Sequence, residues 1–538
     1  MFVHTVSNRN SPPAVLLREG HREDGKIKMR TIANLSKWAP ERVEALKRCL
    51  RGELDGIVGD LLPTTGRTFG TLFILAQMAD RLEIAKALGR TRFGKLALFL
   101  VLARVSDQRS RLSAVRWAKD HCVAEILGLD AFDEKELYST LDWVAKRQDK
   151  IEKKLFKAHA RKKGAPNVLV LYDVTSCYLE GECNELGAFG YPHDNIKGKK
   201  QIVVGLLTDA EGEPLSIRVF EGNTADPSTV STQIETLKKR FGVTDVVLVG
   251  DRGMIKSKGK AALSESGLKY ITALTNPQVR RLIRKGIIQL GLFEETVTEV
   301  QTGGLRLVLR RNELVRRKEQ RRREDKLAKL RRLVDERSAF VDNSDRAKPE
   351  AGKRKFTAWV KRHKLGSFCT IDLQGRRLTV NVDADKMADA ALLDGCYVME
   401  TDVSAEIMDA KTVDERYRSL QKVERNFRTL KNGFLEIRPI FLQKAARTQG
   451  HALICMLALK IVNEATRLLK ENLPSGLADG QDRCLLETAL RTMGRLTFDR
   501  YNVNGIEFLR LPNPDENQIA ICKALGIPPI THRSQAVC

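Results

Sequence analysis

NVLVLYDVTSCYLEG, residues 167–181, decides how the rest of the chain is read. Its apolar run from Val168 to Tyr172 has the character of a buried strand, yet the run ends on Asp173. An unpaired carboxylate inside a core is costly, so Asp173 is expected either to find a hydrogen-bonding partner or to hold a cation. A second run, DVVLVGDRG at 245–253, repeats the pattern and ends on Asp251, with Gly250 and Gly253 beside it. Two such strands side by side in one sheet would bring both acids to the same edge. Like charges placed so close raise each other's pKa unless a cation neutralises them, and oxygen-only ligation suits Mg²⁺ or Mn²⁺ rather than zinc.

Outward from this stretch the pattern is that of a mixed α/β protein. After the break RKKGAP (161–166), the runs VLVLYDV, QIVVGLLTD and LSIRVFEG predict three antiparallel strands in series, the last two joined by the turn-forming AEGEP. A helix over 228–240 then leads to the Asp251 strand, a crossover that makes the sheet mixed. Residues 256–265 suit a further helix and KYITAL (269–274) a further strand. From 276 to 400, short strands such as LRLVLR (305–310) surround the charged run at 312–337, whose sparse apolar residues predict an exposed helix. A solvated face slightly outweighs a DNA-contacting one there. DNSDRAKPEAGKRK (342–355) reads as a mobile loop. Residues 1–40 suggest a hairpin or extended arm, 40–160 are helical, and 400–538 are mostly helical with a turn-rich tail after 510.

The chain has 538 residues, 42% of them hydrophobic, and a formal charge of +25, which favours a polyanionic partner such as nucleic acid or an anionic membrane surface. Its most apolar segment, FGKLALFLVLARV at 93–105, is shorter than the ~20 residues of a spanning helix and contains Lys95 and Arg104, so no membrane role is expected. The start of the chain lacks the pattern of a secretory signal, and ten cysteines are scattered without CxxC pairs, which together suit a reducing, cytoplasmic setting. Eight histidines, none at zinc-binding spacing, leave oxygen ligands as the route to a metal.

A helix over 411–431 offers a third acid. Tyr417, Glu424 and Lys431 recur every seven residues, with Gln421 and Arg428 between them, so one acid lies among phosphate-binding donors along one face. Leu420, Val423, Phe427 and Leu430 supply the opposite, buried stripe.

LYDVTSCYLEG, LVGDRGM and YRSLQKVERNFRTLK resemble the three acidic motifs of bacterial insertion-sequence transposases of the DDE type, in the branch whose third motif carries Tyr, Arg, Glu and Lys. NTADPSTV (223–230), LDGCYVMETD (393–402) and IRPIFLQKAARTQGHALICMLAL (437–459) resemble that branch as well, and the likeness runs from about 160 to 460. Tyr417, Glu424 and Lys431 fit the third motif, but Leu420 stands where the pattern has Arg.

The resemblance implies a ribonuclease-H-like core in which Asp173, Asp251 and Glu424 hold two Mg²⁺ ions, with Mn²⁺ able to substitute. Tyr417 and Lys431, two turns either side of Glu424, are expected to touch a DNA end, with Arg428 or Arg425 in place of the missing Arg. The expected partners are the terminal inverted repeats of an element and its target DNA, bound by a homodimer or higher oligomer at the bacterial nucleoid. The expected division is a mainly helical DNA-binding region at 1–160, core segments at 161–275 and 401–465 around an insertion at 276–400, and a C-terminal helical region with a tail at 466–538. A metal-dependent nuclease of the same fold, or a transposase-derived DNA-binding protein without catalysis, are the alternatives.

Overall fold

Tyr172 and Gly205 show why the sheet forms where it does. In the computed structural model β-strand Val168–Tyr178 pairs antiparallel with Gln201–Asp209, and the Tyr172 ring lies across the backbone at Gly205. A Cβ at position 205 would come within 2.4 Å of the Tyr172 hydroxyl, so only glycine lets that large, fully buried side chain sit there.

The structure describes residues 1–8, 12–23, 26–51, 64–107, 109–163, 168–194, 196–243, 246–252, 254–289, 291, 297–303, 305–344, 346–431, 435–438, 442–474, 482–503, 506–530 and 533–536. The Asp24-Gly25 turn, the break at 164–166 and Gly253 therefore lie outside the described residues. Two compact units are formed: Met1–Met78 with Leu112–Ala131 and Glu464–Cys538, and Ala79–Arg111 with Phe132–Asn463.

In the first unit β1 (Phe2–Val6), β2 (Ala14–Glu23) and β3 (Lys26–Asn34) make an antiparallel sheet, so the opening residues take the hairpin alternative, extended to three strands. β4 (Thr64–Thr68) follows, in a region expected to be helical.

The second unit holds the sheet built on β5 (Val168–Tyr178), β6 (Gln201–Asp209) and β7 (Pro214–Glu221), the three antiparallel strands that the sequence predicts. Helix Asp226–Glu235, continued by a π-helical turn Thr236–Phe241, crosses over to β8 (Val246–Gly250), which pairs parallel with β5; β9 (Lys269–Ala273) is parallel to β8 in turn. The order β7-β6-β5-β8-β9, in which β6 alone runs opposite to the other four strands, is that of a ribonuclease-H-like sheet. All nine positions of β6 and all five of β8 are buried, as in strands covered on both faces.

Residues 276–400 are not wholly a separate body. β10 (Thr298–Thr302), β11 (Leu305–Arg311) and β14 (Cys396–Thr401) extend the same sheet beyond β9 to eight strands. The long helix Glu313–Asp342, helix Pro349–Arg362 and the hairpin of β12 (Cys369–Gln374) and β13 (Arg377–Val382) gather a core around Leu330, Val334, Phe356, Val360, Ile371 and Leu378, and Val279, Ile288, Leu307, Leu309, Leu393 and Val398 gather another against the sheet. Pro349–Arg362 corrects the expected loop at 342–355. Pro349 opens a helix in its first turn, and Gly352, Phe356 and Val360 recur every four residues on the buried face.

The tail expected after 510 is also corrected. β15 (Thr497–Val503), β16 (Ile506–Leu511) and β17 (Arg533–Ala536) join β4 in a four-stranded sheet of the first unit, so the two ends of the chain share one unit instead of forming separate regions. Among the described residues no helix is long and apolar enough to cross a membrane.

Candidate active site

Asp173 does not end its strand. β5 continues to Tyr178 against β6, but its pairing with β8 stops at Tyr172 opposite Gly250. Asp173 is thus the first β5 residue past the end of β8, and Asp251 is the residue that follows β8. The register places the two acids on neighbouring strands at one level, as the two apolar runs predict.

Side chains alternate along a strand, and Val170, Tyr172 and Val174 point into the core beneath helix Asp226–Glu235. Asp173 and Cys177 take the other face, where helix Leu420–Lys431 packs on β5. Glu424 acts electrostatically on Asp173 and Lys431 acts on Cys177. Four residues of strand cover about 13 Å and seven of helix about 10 Å, so the helix runs along the strand in the same direction.

Leu420, Val423, Phe427 and Leu430 are buried, and Gln421, Glu424 and Arg428 are exposed, as the periodicity predicts. Leu420 belongs to the buried stripe. The helix over 411–431 is interrupted once: Ala410–Arg418 and Leu420–Lys431 meet at Ser419. Its position is fixed from the hairpin between β6 and β7. Lys422 donates to the Ala210 carbonyl at 2.7 Å and Asn426 to the Gly212 carbonyl at 2.7 Å, while Asn463 donates to Asn426 at 2.9 Å. Gly212 lies at φ +88°, where its lack of a side chain admits the stem of Lys422. These contacts flank Glu424 on both sides.

Burial pushes the Asp173 carboxyl up to about 7; the Val174 N–H, donating to Asp173 Oδ1 at 2.8 Å, opposes this, Asp251 and Glu424 add to it, and His193 opposes it. Asp251 Oδ1 accepts from the Arg252 N–H at 2.6 Å and from the Tyr417 hydroxyl at 3.1 Å. Tyr417 therefore reaches the second acid itself instead of standing clear of it for DNA. Its hydroxyl is held above the usual phenol range by burial and then by Asp251. The Asp251 carbonyl is tied down by the Thr272 hydroxyl at 3.2 Å and the Met254 N–H at 3.1 Å.

His193 is the site residue that the sequence reading misses. Its backbone N–H donates to Ser176 Oγ at 2.8 Å and its ring Nε2 lies 3.4 Å from Asp226 Oδ1, which holds the imidazole above its ordinary pKa. No spacing signal could have found it, because it comes from an irregular segment between β5 and β6.

Three acids from three elements thus share one electrostatic field. Among the described residues no three His, Cys, Asp or Glu side chains are gathered closely enough, as they stand, to cage an ion. The three acids nonetheless offer carboxylate oxygens, which would suit a hard divalent cation, and a cation there would offset the burial and repulsion that raise Asp173.

The sequence matches the transposase DDE domain over residues 164–461, and the N-terminal domain of IS1634 family transposases over residues 3–56. No curated protein matches the chain. Among solved structures, it is similar to the piggyBac transposase synaptic complex with hairpin DNA at 10% identity, covering 74% of this chain and 69% of that one, with a TM-score of 0.34. The Mos1 transposase paired-end complex with the left transposon end matches at 10% identity over 34% of this chain and 58% of that one, with a TM-score of 0.15. With the DDE domain spanning more than half of its length, the chain belongs to the DDE transposases of insertion sequences and is a DNA transposase.

Proposed function

We propose that Asp173, Asp251 and Glu424 are the catalytic acids with which this transposase cuts and rejoins DNA phosphodiesters at the ends of its element. The observation that carries the reading is the register of β5 on β8, which sets Asp173 and Asp251 at one level, with helix Leu420–Lys431 packed on β5 so that Glu424 acts on Asp173. The three carboxylates would hold Mg²⁺, with Mn²⁺ substituting. When bound, such ions activate a water or a 3′ hydroxyl and stabilise the leaving oxygen. Tyr417 holds Asp251 in place through its hydroxyl, so its part is positioning. Arg428 and Lys431, on the Glu424 face, are the cations that would take the phosphates of the DNA end. The expected partners are the terminal inverted repeats and target DNA at the bacterial nucleoid, engaged by a homodimer or larger assembly.

The test incubates the purified chain with duplexes carrying its element ends and Mg²⁺. Free 3′ hydroxyls and joined products are expected. Glu424→Gln and Asp251→Asn should lose both while still binding the ends. Cleavage without joining would favour a nuclease, and undiminished cleavage by either variant would remove these acids from the site.

A further inference from the structure

Beside Asp251 lies a cavity of about 410 Å³, walled by helix Glu313–Asp342, by residues 363–368, and by residues 393–397 leading into β14. Five cationic side chains line it, Arg252, Arg322, Arg323, Lys326 and Lys364, against two carboxylates. Both carboxylates are already engaged within the wall: Asp394 accepts from Arg323 at 2.6 and 2.7 Å, and Glu319 accepts the Gly395 N–H at 3.0 Å. Arg252 lies over the Tyr397 ring and donates to Asn276 Oδ1 at 3.3 Å, and Lys326 donates to the His363 carbonyl at 3.2 Å and meets no carboxylate among the described residues. Its ammonium is held below the usual lysine range by burial and then by Arg322 and Lys364, so the cations of this wall repel one another. Arg252 follows Asp251 directly and joins this cavity to the carboxylate site.

Like charges gathered around a concave space raise the energy of the free protein, and an anion placed there lowers it. We propose that this cavity seats backbone phosphates of the DNA strand engaged at Asp251, with Arg322 and Lys364 as the contacts at its mouth. The helix read from sequence as a solvated face is then a phosphate-binding wall over the turns that carry Arg322 and Lys326. The proposal rests on the transposase reading of the neighbouring acids, and adds a strand-holding site outside the three acidic motifs.

The test uses the full chain in EDTA, so that cleavage is silent, and follows binding to an element-end duplex by fluorescence anisotropy across a salt series. Arg322 and Lys364 are both exposed, and Lys364 sits at φ +60°, where glycine is at least as comfortable. The double variant Arg322→Ala/Lys364→Gly should bind about tenfold more weakly and lower the salt slope by about two, since each lost phosphate contact removes about 0.9. Arg332→Ala/Lys355→Ala, a matched change at exposed residues outside the cavity, should leave the slope near that of the wild type. An unchanged slope in the first variant, or an equal loss in the second, overturns the proposal. So does binding of inorganic pyrophosphate that the first variant loses while its DNA binding is unchanged, which would reassign the cavity to a free phosphate compound. Metal-dependent cleavage by the wild type is read separately, so the cavity can fail while the transposase reading stands.

Discussion

Replacing Asp173 with Asn should make the metal-free protein more stable at alkaline pH. The carboxyl's ordinary pKa of 3.8 is raised to about 7 in the fold. Because the folded value lies above the unfolded one, the folded state keeps the proton longer. Stability is fully present below pH ~4, drains as the pH rises toward ~7, and is constant above that. At about 1.4 kcal/mol for each tenfold change in proton affinity, the ceiling on the loss is about 4 kcal/mol. Solvent reaching this partly buried group trims the expected gain for Asp173→Asn at pH 8 to about 2–4 kcal/mol. The amide keeps the oxygen that accepts from Val174 and offers an N–H₂ to the acids that now repel it. Urea unfolding in EDTA, followed by tryptophan fluorescence between pH 4.5 and 8.5, gives the difference directly. Excess Mg²⁺ should reverse the ranking, because a ligand that binds only the folded wild type stabilises it. A variant less stable than the wild type at pH 8 in EDTA, or a gap that does not close toward pH 4.5, refutes the shared-field reasoning.

Three further outcomes are expected. Tyr417→Phe removes one neutral-to-charged hydrogen bond on Asp251 and should slow cleavage about tenfold with end binding unaltered, measured in single-turnover assays. Asn426→Ala leaves the Gly212 carbonyl and the Asn463 amide without their partner, and should cost about 1–3 kcal/mol in urea unfolding. Leu420→Arg places a charge in the buried stripe; a loss of more than about 3 kcal/mol in the same assay is expected, and unchanged stability would show that the helix can rotate.

The acids were legible because each closes an apolar run too regular to be surface, and strand register then brings Asp173 and Asp251 together without further information. The exposed row containing Glu424 was legible because helical periodicity separates it from Leu420, Val423, Phe427 and Leu430. What the periodicity could not carry is the contact between Tyr417 and Asp251, which depends on how the helix is seated by the hairpin between β6 and β7. His193 escaped because irregular segments have no period. Helix Pro349–Arg362 was hidden by its Lys, Arg, Ala and Gly content, which resembles a linker although Phe356 and Val360 keep helical spacing. The pair β15 and β16 carried a readable signal in Asn504-Gly505, a strong hairpin dipeptide, though those two residues lie outside the described ones. Its other partner, β4, is remote in sequence and no local pattern announces it.

The path of the chain between Asp251 and Glu424 has a consequence for synthesis. After β9 the polypeptide must lay down β10 and β11, build the two helices and the hairpin of β12 and β13, and return through β14 before the third acid is made. A nascent or truncated chain that stops short of residue 420 therefore holds two of the acids on finished strands, yet lacks the helix that bears the third. On the proposed assignment, cutting competence arrives late and all at once, after the sheet is complete. On the same assignment, incomplete copies of such a gene would yield chains that lack the third acid and cannot cut.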